Sequence, residues 1–146
     1  MDAIPDLELE QIPAWLFATL ADGAARRQAA MHVLTLATIE NAEPRQRTMV
    51  LRGASAAEGW LQFHTDRRKS LLDALEHGAS LSWYSRGLKL QWRARVRLQD
   101  MTGTVVEDTA WARTRDLSRR CYRQSLPPGT PVEKAGESGP PVGEGR

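Results

Sequence analysis

Along the chain the apolar residues change period several times, and each change marks a new element. Leu7, Ile12, Trp15, Leu16 and Leu20 recur at roughly helical spacing between residues 7 and 30, predicting an outer helix that stops at Gly23 before a short Ala-rich turn. MHVLTLATIE (31–40) is β-branched and apolar on both faces and runs into the turn-like NAEP, which predicts a buried strand. QRTMVLRG (46–53) and WLQFHT (60–65) predict two further strands, and the intervening ASAAEG has the length and the glycine of a hairpin loop. After Asp66, a candidate N-cap, RRKSLLDALEHG places Leu71, Leu72 and Leu75 at apolar positions and stops at Gly78, predicting one short helix.

SLSWYS (80–85), the turn RG and LKLQWRARVRL (88–98) predict a second hairpin. Its later strand alternates strictly, with Leu88, Leu90, Trp92, Ala94, Val96 and Leu98 on one face and Lys89, Gln91, Arg93, Arg95 and Arg97 on the other. EDTAWARTRDLSRRCYRQS (107–125) reads as helical again, with Asp108 a candidate cap. From Pro127 onward Pro and Gly fill ten of twenty positions without an aromatic residue, too little apolar surface to offset the entropy of ordering. Helices outside an antiparallel meander give an α+β fold, and five or six such strands can curl into a small barrel.

At 146 residues and 16.3 kDa the chain suits one domain, expected over 1–126 with a flexible Pro/Gly-rich loop or tail over 127–146. The lone Cys121 excludes an internal disulfide, and no Cys/His pair stands at metal-ligand spacing. The acidic start, broken by Pro5, is not a secretory signal, and no run of 18 apolar residues could span a membrane, so a cytoplasmic protein is expected. The net charge of +2 conceals an uneven distribution: residues 1–44 carry seven acidic and two basic side chains, residues 86–123 four acidic and ten basic. Anions therefore belong to the middle of the chain. No helix-turn-helix, zinc-finger or RNA-binding signature accompanies the pI near 9.0, which leaves nucleic acid a weaker reading than a small phosphorylated ligand.

Three places carry candidate chemistry. Arg67, Arg68 and Lys69 open the expected helix with the wrong charge for its N-terminus, and a phosphate held there would reverse the sign; splaying into water is the alternative. Arg47 and Arg52 flank TMVL on opposite strand faces, where arginines also commonly snorkel from the edge of a core. Gln91 is the one neutral residue in a basic row that otherwise reads as a solvated face, and it can both donate and accept.

The order RTMVLR (47–52), FHTDRRKS (63–70), LQWRARV (90–96) and RQS (123–125) resembles the pyridoxamine 5'-phosphate oxidase family and its FMN-binding split barrel, over about residues 31–125 and nearer to the less characterised flavin-binding branch than to the vitamin enzyme. The resemblance implies an antiparallel six-stranded split β-barrel with peripheral helices. It implies that Arg47, Thr48, Met49 and Val50 lie along the flavin, that Arg52 stands near flavin and substrate, and that His64 and Thr65 touch the cofactor. Arg68 and Lys69 match the phosphate-binding pair, Gln91 the glutamine bonded to the ring, and Gln124 with Ser125 a contact from the partner subunit of a homodimer with FMN at its interface. Arg52, Trp111 and Arg113 or Arg115 are the expected substrate neighbours, with a core anchor as the other reading of Trp111. The chemistry implied is hydride transfer to flavin and reoxidation of the reduced ring, with no protein nucleophile and no metal.

The family continues into a last strand that completes the pockets, and this sequence ends at Arg146 inside the preceding loop, so that strand is expected to be missing. The leading expectation is an FMN-dependent oxidoreductase acting on a small molecule, phosphorylated substrates included. The alternatives are a non-catalytic flavin-binding or carrier module that has lost its substrate pocket, and a basic nucleic-acid-binding barrel.

Overall fold

The structure, a computed structural model, describes residues 4–68, 71 and 74–134. It divides into two compact units, Met1–His64 with Asp73–Leu98, and Thr65–Leu72 with Gln99–Arg146.

The first unit is a five-stranded antiparallel sheet with one long helix. The helix α1 (Ile12–Ala25) follows a 3-10 turn (Leu9–Gln11), and Pro13 in its first turn removes an N–H that has no intrahelical partner there. Gly23 does not stop it, contrary to expectation. A Cβ at Gly23 would stand 2.5 Å from the Met31 carbonyl oxygen, so this glycine lets the chain entering the sheet cross the helix closely. The His32 Nδ1–H donates to the Gly23 carbonyl at 2.7 Å and fastens the crossing.

Strands β1 (Val33–Glu40), β2 (Glu43–Ser55), β3 (Trp60–Phe63), β4 (Ala79–Ser85) and β5 (Leu90–Val96) lie in the order β3-β2-β1-β4-β5. β1 and β2 are joined by Asn41 and Ala42, both at positive φ (52° and 63°), the two-residue turn whose twist matches that of the strands. The register sets Leu34 opposite Met49 and Leu36 opposite both Arg47 and Leu81. With Leu20, Met31, Leu51 and Trp83, these apolar side chains form the core, and Trp83 Nε1–H donates to the Ala30 carbonyl at 2.8 Å.

β1 was expected to be buried on both faces. In this chain only one face is: Leu34, Leu36, Thr38 and Glu40 are buried while Val33 and Ile39 are exposed. Among the described residues the sheet has five strands, the five that the sequence patterns predict; a sixth, which the family resemblance implies, is not among them.

The second unit holds α2 (Val105–Arg113), α3 (Asp116–Arg119) and a 3-10 turn (Arg120–Tyr122). The continuous helix expected over 107–125 is broken, because Thr114 is extended (φ −75°, ψ 127°) and its hydroxyl turns back to the Ala110 carbonyl at 2.8 Å. Thr104, not Asp108, is the N-cap residue of α2. The short helix expected after Asp66 is also not found among the described residues: Arg67 and Arg68 form a turn, and Leu71 and Ala74 are in 3-10 conformation. Lys69, Ser70, Leu72 and Asp73 lie outside the described residues.

Candidate functional site

The sheet carries one group of candidates. Arg47 and Met49 point to the core side of β2, and Thr48, Val50 and Arg52 to the other, as alternation requires. The Arg47 guanidinium is not free. Nη1 and Nη2 donate to the two oxygens of Glu40, the latter at 2.6 Å, and Nη1 also donates to Thr38 Oγ1 at 3.0 Å. Glu40 is 2% exposed in its side chain and would be a costly charge without that fork. This partner was missed in the sequence; it becomes visible only once the Asn41–Ala42 turn fixes the hairpin register.

Arg52 is the extra residue of a β-bulge, since Leu51 faces Phe63 while Gly53 faces Gln62. Gly53 suits the bulge: a Cβ there would meet the Trp60 ring at 3.0 Å and Gln62 Oε1 at 3.1 Å. The bulge brings Arg52 near enough to His64 for its charge to act on the imidazole. Burial first, and the Arg52 charge second, push the His64 pKa below its usual 6.5 and keep the ring neutral at pH 7. On the same sheet Gln91 pairs with Tyr84 across β4 and β5, and both are exposed. The indole Nε1–H of the adjacent Trp92 is buried with no hydrogen-bond partner.

The second unit gathers another group around Asp66. This carboxylate, 7% exposed, accepts the Arg68 backbone N–H at 2.9 Å, Arg68 Nε–H at 2.9 Å and Arg68 Nη2–H at 2.6 Å. The hydrogen bond to Asp66 raises the Arg68 pKa further above its ordinary value. The remaining edge of the guanidinium donates from Nη1 to the Gln124 carbonyl at 2.8 Å, with the Ser125 carbonyl at 3.5 Å. Arg68 and the Gln124–Ser125 segment, more than fifty residues apart, thus meet within the second unit. Thr65 is half-buried beside this group, and Lys69 lies outside the described residues.

Trp111 and Arg115 are not drawn into it by any of these bonds. Trp111 is an anchor within its own unit: the Arg119 guanidinium sits 5.0 Å from its ring centroid, Arg119 Nη2 donates to its carbonyl at 2.7 Å, and Tyr122 meets it edge-on at 6.2 Å. Arg115 precedes α3 as its N-cap residue.

A phosphorylated, hydroxyl-bearing ligand asks for cationic donors together with a neutral acceptor. The second unit offers the Arg68 guanidinium, whose Nη1 edge meets only main-chain carbonyls, the exposed Arg67, the unpartnered Nε–H of Arg123 and the unpartnered Oε1 of Gln124, the last two buried. That donor set fits the phosphate and ribityl chain of FMN. Among the described residues no group of three His, Cys, Asp or Glu could hold a metal ion, and no helix is long and apolar enough to cross a membrane.

Comparison with known proteins bears on these groups. The sequence matches the family described as pyridoxamine 5'-phosphate oxidase, FMN-binding domain, over residues 13–101. No curated protein matches it. Among solved structures it is similar to a pyridoxamine 5'-phosphate oxidase-related, FMN-binding protein of Nostoc punctiforme PCC 73102, with a TM-score of 0.65 and 21% identity over 97% of this chain and 77% of the other. The matched span takes in α1 from Pro13 onward, the whole sheet and the Asp66–Arg68 turn, and on that extent the chain belongs to the pyridoxamine 5'-phosphate oxidase FMN-binding domain family, with FMN as its cofactor.

Proposed function

We propose that the protein is an FMN-dependent oxidoreductase that works as a homodimer on a small molecule. The observation that carries this reading is the family match over residues 13–101, which spans the candidates from Arg47 to Gln91. On this reading the β2 backbone from Arg47 to Val50 presents hydrogen-bonding groups to the polar edge of the ring, and Gln91 donates to or accepts from it. Arg52 and neutral His64 border the reacting face, where the single charge of Arg52 favours an anionic reduced ring. Thr65, Arg68, Lys69, Gln124 and Ser125 hold the phosphate end. Bound FMN supplies the hydride acceptance and the return of electrons to an acceptor, so no protein nucleophile is needed. Trp111 and Arg115 are the substrate-side candidates, with Arg52 common to both sides.

The dimer is supported by the sheet face turned away from the core, where Val33, Ile39 and Tyr84 are 41%, 42% and 64% exposed. Such a face suits an isologous partner.

The test is anaerobic reduction of the FMN-loaded protein with a panel of amine, alcohol and nicotinamide donors, followed by oxygen. Reduction by at least one donor with catalytic reoxidation is the expected result. Flavin that stays bound yet exchanges electrons with no donor or acceptor would overturn the oxidoreductase reading in favour of a carrier.

A further inference from the structure

We infer that Asp66 is a positioning residue for phosphate recognition: its buried carboxylate holds one edge of the Arg68 guanidinium and so fixes the direction of the other, where phosphate oxygens replace the Gln124 and Ser125 carbonyls as acceptors. The inference rests on the proposal that Arg68 faces the FMN phosphate. The bonds divide the guanidinium cleanly. Asp66 takes Nε and one Nη2 hydrogen, and its Oδ1 also takes the Arg68 backbone N–H, so side chain and main chain are locked by the same group. The opposite edge, bearing Nη1 and the second Nη2 hydrogen, already recognises oxygen in the Gln124 and Ser125 carbonyls. Arg68 is 32% exposed in its side chain and, without Asp66, would keep only its Nη1 bonds to two main-chain carbonyls, which leaves a long cation much freer to change rotamer.

Charge and geometry give opposite expectations for removing the carboxylate, and this makes the role measurable. If Asp66 mattered only as a charge, Asp66→Asn would add net positive charge beside a dianionic ligand and tighten binding. At a partly solvated site that gain is screened, whereas the lost fork is felt in full. FMN affinity is therefore expected to fall about tenfold in Asp66→Asn, the scale of a charge-assisted hydrogen bond. Riboflavin, which has the same ring and ribityl chain without the phosphate, is expected to bind as before.

The experiment is fluorescence titration of the full chain with FMN and with riboflavin, read as the ratio of the two affinities. The wild-type chain prefers FMN, Asp66→Asn loses about tenfold of that preference, and Asp66→Asn in an Arg68→Ala background changes nothing further. Equal affinities in the wild-type chain would overturn the phosphate assignment of Arg68 itself. A wild-type preference that survives Asp66→Asn, or rises, would overturn the role of Asp66 alone. Should Asp66→Asn fail to fold, Arg68→Lys keeps the charge but cannot form the fork, and the same loss of ratio is expected; an unchanged ratio there overturns the inference.

Discussion

At the scale of single residues, the sheet unit depends on a few contacts with little slack. Gly23→Ala gains helix propensity, yet its Cβ would collide with main chain at Met31, which cannot move without shifting β1. A net loss of about 2 kcal/mol is expected in chemical denaturation, the range of overpacked sites. Arg47→Ala removes the fork from a buried carboxylate, and a loss of about 3 kcal/mol is expected, partly recovered when Glu40→Gln is added to remove the charge. His64 gives a pH dependence of definite sign. Its folded pKa lies below the unfolded value of 6.5, so the unfolded chain takes up the proton first. Its share of stability is whole above pH 6.5 and is lost as pH falls through the folded pKa; His64→Gln should flatten the melting temperature against pH in that window. Alternation alone assigns Arg47 and Arg52 to opposite faces, but nothing local in the sequence pairs Arg47 with Glu40, seven residues away across a turn whose length decides the register.

Among the elements, the strands were the most legible. The strands around Leu34, Met49, Leu81 and Trp92 stand where their patterns predict, with ends shifted by a few residues, because one face must be buried and a one-residue slip would expose all of it. The helical patterns were less decisive. Leu71, Leu72 and Leu75 suit a helix by spacing, but Asp66 binds the N–H only two residues on and draws Arg68 into a turn. Across 107–125 the break falls at Thr114, whose hydroxyl competes for the Ala110 carbonyl, an event that periodicity does not register. The β1–β2 turn offers a gain of stability. Ala42 at φ 63° bears a left-handed strain that glycine does not, and Ala42→Gly should stabilise by about 0.5–1 kcal/mol after the extra entropy of the unfolded chain is counted.

For the molecule as a whole, the candidate site was legible as motifs in order and not as geometry. Gln124 and Ser125 were expected to serve a partner subunit, and their carbonyls also receive Arg68 of their own chain, a link between residues 56 and 57 positions apart that no local pattern carries. The proposed dimer is expected to depend on the exposed side of β1: Val33→Asp with Ile39→Asp should lower the sedimentation coefficient from that of a dimer to that of a monomer, with the circular dichroism of the fold retained. The central claim, that this chain binds FMN, is tested most directly by the visible absorption spectrum of the purified protein with the released chromophore identified by mass. The account predicts a flavin spectrum and FMN at about one per chain. A colourless protein that takes up no added FMN would contradict it.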